Sequence, residues 1–213
     1  MKRRLALISL VLFPALALCE PAKETEKPAP AAAAKVSKVK LKTSLGDIVL
    51  ELDAGKAPVT VENFLGYVKK KHYDGTVFHR VIGNFMIQGG GFAVEGKDLV
   101  EKDVGKGITN EGKNGLKNVR GSISMARTSD PNSATAQFFI NVQDNAMLDF
   151  PNNGGYAVFG KVVDGMDVVD KIKAVATGNS PLTMKHPATG EKIRMPSDDV
   201  PVEKVTIISA TAE

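Results

Sequence analysis

Val39, Leu41 and Thr43 alternate with Lys40 and Lys42, and beyond Ser44-Leu45-Gly46-Asp47 the residues Ile48, Leu50 and Leu52 alternate with Val49 and Glu51. A period of two sets alternate side chains on one face of a strand, so these runs predict a β-hairpin with one buried face. After Pro58 the period lengthens. Val61, Phe64, Leu65 and Val68 fall along one stripe of a helix whose first turn holds the proline. Lys69, Lys70 and Lys71 end that helix, where cations oppose the negative end of its dipole. Further strands are predicted over 77–82, 85–88, 119–126, 137–142, 156–163 and 202–209, separated by Gly-, Asn- and Asp-rich turns. A second helix, with Asp164 as its N-cap, carries Val168, Val169, Ile172 and Val175. Eight strands and two helices predict a mainly β fold with an antiparallel sheet, which closure into a barrel would free of exposed edges. Residues 177–200, rich in Pro, Gly, Ser and Asp, are expected to form a long surface excursion before the last strand.

Ahead of the first strand the pattern is of a different kind. Lys2, Arg3 and Arg4 precede an apolar run of 14 residues, Leu5 to Leu18, which contains the small-residue pattern Ala15-Leu16-Ala17. This predicts a cleaved signal peptide over residues 1–17 and a periplasmic mature protein. A spanning helix needs about 20 apolar residues, so no stable membrane span is expected. Lipid attachment at Cys19 is the alternative, but Leu18 stands where such a site ordinarily has a small residue. Residues 18–38 are mainly Pro, Ala, Lys and Glu, with too little to bury against the entropy of ordering, and read as a flexible linker. Residues 39–213 are left as the folded domain.

Composition narrows the chemistry. The 213 residues are 43% hydrophobic and 24% charged, in the range of an ordinary globular domain. Of 28 Lys+Arg against 24 Asp+Glu, three basic residues belong to the leader, so the remainder is 25 against 24. A near-neutral domain has no basic face to match a line of phosphates, and no nucleic-acid partner is expected. One cysteine excludes an internal disulfide framework, and His72, His79 and His186 lack metal-site spacing, so neither metal nor cofactor is expected. Ser122, Ser124, His79 and Asp130 offer the residue types of a hydrolase triad without a nucleophile elbow. The glycines at 89–91, 105 and 107 lack the strand–loop–helix setting of a phosphate cradle.

The sharper signal is on three strands. Strict alternation places Arg80 on the face of Phe78 and Ile82, and His79 on the opposite one. Met86 and Gln88 share a face. Phe138, Ile140 and Val142 form a core face, while Gln137, Phe139 and Asn141 mix amides with an aromatic, which suits a pocket with an apolar floor and directed donors.

The blocks Phe78-His79-Arg80-Val81-Ile82, Phe85-Met86-Ile87-Gln88-Gly89-Gly90, Ser124-Met125-Ala126-Arg127, Gln137-Phe138-Phe139-Ile140 and Val158-Phe159-Gly160-Lys161-Val162 resemble, in order, the signature blocks of the cyclophilins, closest to exported bacterial members. The resemblance implies an eight-stranded antiparallel closed β-barrel with two capping α-helices. It implies peptidyl-prolyl cis–trans isomerisation assisting the folding of exported proteins, without a cofactor, on proline-containing segments of unfolded or extended polypeptides. A non-catalytic proline-binding or chaperone module on the same fold is the alternative. Carried over by position, Arg80 is the catalytic residue, Phe85, Met86, Phe139 and Leu148 hold the proline ring, and Gln88 holds substrate backbone. Ala126, Arg127 and Gln137 line the adjoining groove. Arg127 and Tyr156 replace an asparagine and a histidine of eukaryotic members. Met147 stands where those have tryptophan, so weak cyclosporin binding is expected, and a monomer.

Overall fold

The computed structural model describes residues 37–185 and 189–213. The expected signal peptide, the linker up to residue 36, Cys19 and His186 lie outside the described residues. Strands β1 (Ser37–Thr43) and β2 (Gly46–Leu52) form the hairpin read from the alternation, in register from Ser37↔Leu52 to Thr43↔Gly46, with β1 opening two residues ahead of Val39. Helix α1 (Pro58–Lys69) buries Thr60, Val61, Phe64 and Val68. Its first turn has no side-chain cap of its own; Val59 N and Thr60 N donate instead to the Glu111 carboxylate, at 3.1 and 2.8 Å. That anion satisfies two orphan donors at the positive end of the helix.

Then follow β3 (Thr76–Ile82), β4 (Met86–Glu95), β5 (Asp98–Glu101), β6 (Ser122–Met125), β7 (Phe138–Asn141), β8 (Val158–Asp164), α2 (Met166–Lys173), β9 (Thr177–Lys185), β10 (Lys192–Pro201) and β11 (Thr206–Ala212). Eight of these strands close a circuit of antiparallel neighbours, β1-β2-β8-β6-β7-β4-β3-β11 and back to β1. Leu41, Ile48, Leu50, Phe78, Ile123, Phe138 and Phe159 fill its interior, joined by Phe64 of α1 and Val169 and Ile172 of α2. The N-cap of α2 is Gly165, φ 85, and not Asp164, which ends β8 and accepts a hydrogen bond from Gly165 N at 2.9 Å. Only glycine fits there, because a Cβ would stand 2.2 Å from the Asp47 carbonyl oxygen.

Residues 177–200 are not an irregular excursion. The described residues of that stretch include the antiparallel strands β9 and β10, and β9 pairs in parallel with β5, which itself pairs with β4, so three strands extend the barrel wall. A second, smaller core of Val77, Phe92, Leu99, Leu182 and Val200 fastens that extension. The final strand runs over Thr206–Ala212 rather than 202–209, and β6 is shorter than the 119–126 read from the pattern.

Strict alternation also fails within β3. Phe78 opposes Gly89 and Arg80 opposes Gln88, so His79 is an extra residue, a β-bulge. Phe78 and Val81 point into the barrel core. Arg80 therefore does not share the face of Phe78; it lies outside the barrel and is exposed.

Candidate active site

The bulge at His79 aims Arg80 at a cavity of about 120 Å³ on the outer face of the barrel. Register does the rest. Arg80 pairs with Gln88 and Gln88 with Phe139, so the three stand abreast on β3, β4 and β7. Met86 and Phe139, both buried, supply the apolar floor, and Phe85, from the turn into β4, supplies a wall. Ala126 and Arg127 enter from the end of β6, Leu148 from the short 3-10 turn 146–148, and Tyr156 from the approach to β8. Tyr156 N donates to the Leu148 carbonyl at 2.8 Å, which ties those two walls together. The structure thus brings nine of the residues singled out from the sequence to one pocket.

Three others are placed differently. Gln137 is not in the wall; it accepts a hydrogen bond from Gln88 Nε2 at 3.0 Å and so orients that amide from behind. Met147 is 68% exposed and sits next to Leu148, outside the cavity wall. Asn141, read as a pocket residue from its face, is fully buried. It donates to Ser122 Oγ and accepts from Asn145 Nδ2 at 2.7 Å, while Asn145 also donates to the Phe85 carbonyl at 2.8 Å. This buried amide network locks the Phe85 turn to β7. Periodicity gave no sign of it, since asparagines in loops read as turn formers.

Arg127 stacks its guanidinium 4.3 Å above the Tyr156 ring and donates to the carbonyls of Thr128, Asn153 and Gly155. Its Nε is buried with no hydrogen-bond partner. On β10, Asp199 places Oδ2 4.0 Å from Arg80 Nε, a partner that the sequence did not signal because residues 177–200 read as irregular.

Among the described residues, neither His79 nor the nearby serines offer Arg80 a free acid, base or nucleophile. Burial pushes His79 down to about 4, with the Arg80 charge acting the same way and the Val77 carbonyl and Gln137 opposing, so the imidazole is neutral at pH 7. Ser124 Oγ donates to Asn118 Oδ1 and Ser122 Oγ to the Val119 carbonyl, both at 2.7 Å, so neither is a free nucleophile. Burial raises the Asp149 carboxyl, but hydrogen bonds from Asn118 and the nearby Lys117 ammonium outweigh it and hold the group below the usual range. What the pocket offers is an apolar floor, an amide and two guanidinium groups. A larger cavity of about 380 Å³, lined by residues of β2, β6 and β8, shares no residue with the Arg80 pocket.

The family model described as cyclophilin type peptidyl-prolyl cis-trans isomerase/CLD matches residues 38–212. A peptidyl-prolyl cis-trans isomerase of Streptomyces antibioticus is 54% identical over 179 residues, covering 82% of this chain and 98% of its own length. Peptidyl-prolyl cis-trans isomerase B of Escherichia coli (strain K12) is 52% identical, covering 78% of this chain and 96% of its own. Among solved structures, a Cryptosporidium parvum cyclophilin type isomerase crystallised in the presence of the dipeptide Ala-Pro superposes with a TM-score of 0.62 at 26% identity, over 83% of this chain and 98% of its own. A pocket with an arginine and an apolar floor, on the outside of a closed barrel whose sequence matches at this level, leaves one assignment: the chain belongs to the cyclophilin-type peptidyl-prolyl cis–trans isomerases.

Proposed function

We propose that Arg80 catalyses rotation about X–Pro bonds in exported polypeptides by stabilising the twisted state of the bond. The peptide barrier, about 18–20 kcal/mol, comes from conjugation of the nitrogen lone pair with the carbonyl. At a right-angle twist the conjugation is lost, the prolyl nitrogen becomes pyramidal, and it accepts a hydrogen bond that the planar state takes poorly. A guanidinium aimed at that nitrogen therefore binds the twisted state better than the ground state, the condition for raising rate. Uncatalysed isomerisation takes tens to hundreds of seconds, and ordinary turnover is about 1–1000 per second. The barrier to be removed is then about 3–7 kcal/mol. That is within reach of a charge-assisted hydrogen bond combined with a clamp on one side of the rotating bond.

The remaining residues divide the clamp. Phe85, Met86, Phe139 and Leu148 take the proline ring, and Gln88, oriented by Gln137, donates to substrate backbone. Arg127 and Ala126 form the wall on the groove side of the clamp. The observation that carries this reading is the row of Arg80, Gln88 and Phe139 across three strands at one cavity. Replacing Arg80 by alanine tests it. The side chain is exposed, so the fold survives. Turnover of a proline peptide falls by about tenfold or more, the scale of a lost charged hydrogen bond. A folded variant with wild-type turnover refutes the mechanism and favours a non-catalytic proline-binding module.

A further inference from the structure

Asp199 forms no part of the cavity wall, yet it is the carboxylate that meets Arg80, with Oδ2 4.0 Å from Nε. Its placement is built by the β9–β10 extension. The ladder runs to Ser197↔Ser180 and resumes at Val200↔Gly178, so residues 198 and 199 form a bulge in β10. Asp199 has φ 62, the left-handed conformation that aspartate and asparagine accept more readily than most L-residues. Both neighbours are fastened. Val200 is buried in the second core with Val77, which precedes Arg80 by three residues on β3. Asp198 accepts a hydrogen bond from Asn179 Nδ2 at 2.8 Å. The extension is thus packed against the strand that bears Arg80, and its bulge turns one carboxylate toward the guanidinium.

The two side chains are 44% and 39% exposed, and ion pairs in such settings contribute little to stability. The effect left to this contact is orientation. An arginine projecting from a bulge is free to swing, and an anion at its Nε edge restricts that swing. We propose that Asp199 is a positioning residue for Arg80, holding the Nε edge so that the terminal nitrogens face the pocket; the inference rests on the catalytic reading of Arg80 given above.

Steady-state isomerisation of a proline peptide by the full chain tests it, with wild type, Asp199→Asn, Arg80→Ala and the double variant. Asparagine keeps the shape and accepts the same φ while removing the charge. The expected result for Asp199→Asn is a fall in kcat of about three- to fivefold with KM nearly unchanged. In the Arg80→Ala background the same substitution changes nothing, because the group it orients is gone. Unchanged or higher activity of Asp199→Asn overturns the positioning role, and so does an equal fall in both backgrounds, which marks a general structural effect. Failure of the underlying reading looks different: Arg80→Ala alone then keeps wild-type turnover, and the positioning role falls with it.

Discussion

His79 is the extra residue of the β3 bulge, and its burial against Phe92, ring centroids 4.6 Å apart, follows from that position. The bulge is also why Arg80 was legible as a residue but not as a direction. Its surrounding block marked it, whereas strict alternation sent it to the face of Phe78, and one inserted residue reverses every later side chain of a strand. The neutral His79 has a measurable consequence. Its folded value of about 4 lies below the ordinary 6.5, so between those values the unfolded chain binds more protons. Its stabilising contribution is complete above pH 6.5 and is lost as pH falls through that window, by about 3 kcal/mol at pH 4. His72, lowered mainly by burial, acts in the same direction. Asp103, Asp149, Asp167 and Asp170, all held below 3.8, lose their contributions only under more acid conditions. Thermal unfolding of wild type is expected to weaken steadily from pH 6.5 to 4, and His79→Phe, which keeps a ring against Phe92, flattens that slope to the His72 remainder. Identical slopes for the two proteins would show that His79 does not titrate in this way.

The glycines of β4 show how an element serves core and site at once. Gly90 has φ 84, and a Cβ there would meet the Phe138 and Tyr73 rings at 2.9 Å. Gly91 would instead press its Cβ on Gln137, with Cγ at 2.5 Å and Nε2 at 2.7 Å. One neighbour is the barrel core; the other is the side chain that orients Gln88. Gly90→Ala is therefore expected to cost stability, about 1–3 kcal/mol in denaturant unfolding, from strain and overpacking. Gly91→Ala, by displacing Gln137, is expected to raise KM for a proline peptide about two- to tenfold while unfolding changes less, the loss of one net hydrogen bond. An unchanged KM in a folded Gly91→Ala protein would detach Gln137 from substrate binding. The same scale separates what the pattern could and could not reveal. Strands with one clean buried face, such as β1 and β2, were readable because water on one side and core on the other force alternation. β9 and β10 were not: Pro181 and Pro196 oppose one another in their ladder and most of their side chains stay partly wet, so composition there resembles a loop. Asp199 was hidden with them.

Closure of the barrel settles most edges of the molecule, because a strand with neighbours on both sides offers no unpaired ladder to another chain. Among the described residues β10 is the strand at the open end of the sheet order. Its composition opposes pairing with a second copy. Pro196 removes a backbone donor, the bulge at 198–199 interrupts the ladder, and Lys192, Arg194, Asp198 and Asp199 put charges of both signs along the edge. On the function proposed above such an edge is required, since a partly folded substrate chain would otherwise extend the sheet. The whole molecule is therefore expected to act as a monomer after export. N-terminal sequencing of protein from a periplasmic fraction is expected to begin at Leu18, following the Ala15-Leu16-Ala17 pattern. Sedimentation equilibrium of that protein is expected to give one species below the 22.7 kDa of the full chain by the mass of the lost leader. A concentration-dependent dimer would mean that the edge of β10, or another surface, pairs after all. A cytoplasmic protein beginning at Met1 would remove exported chains from the proposed function while leaving the proposed role of Arg80 untouched.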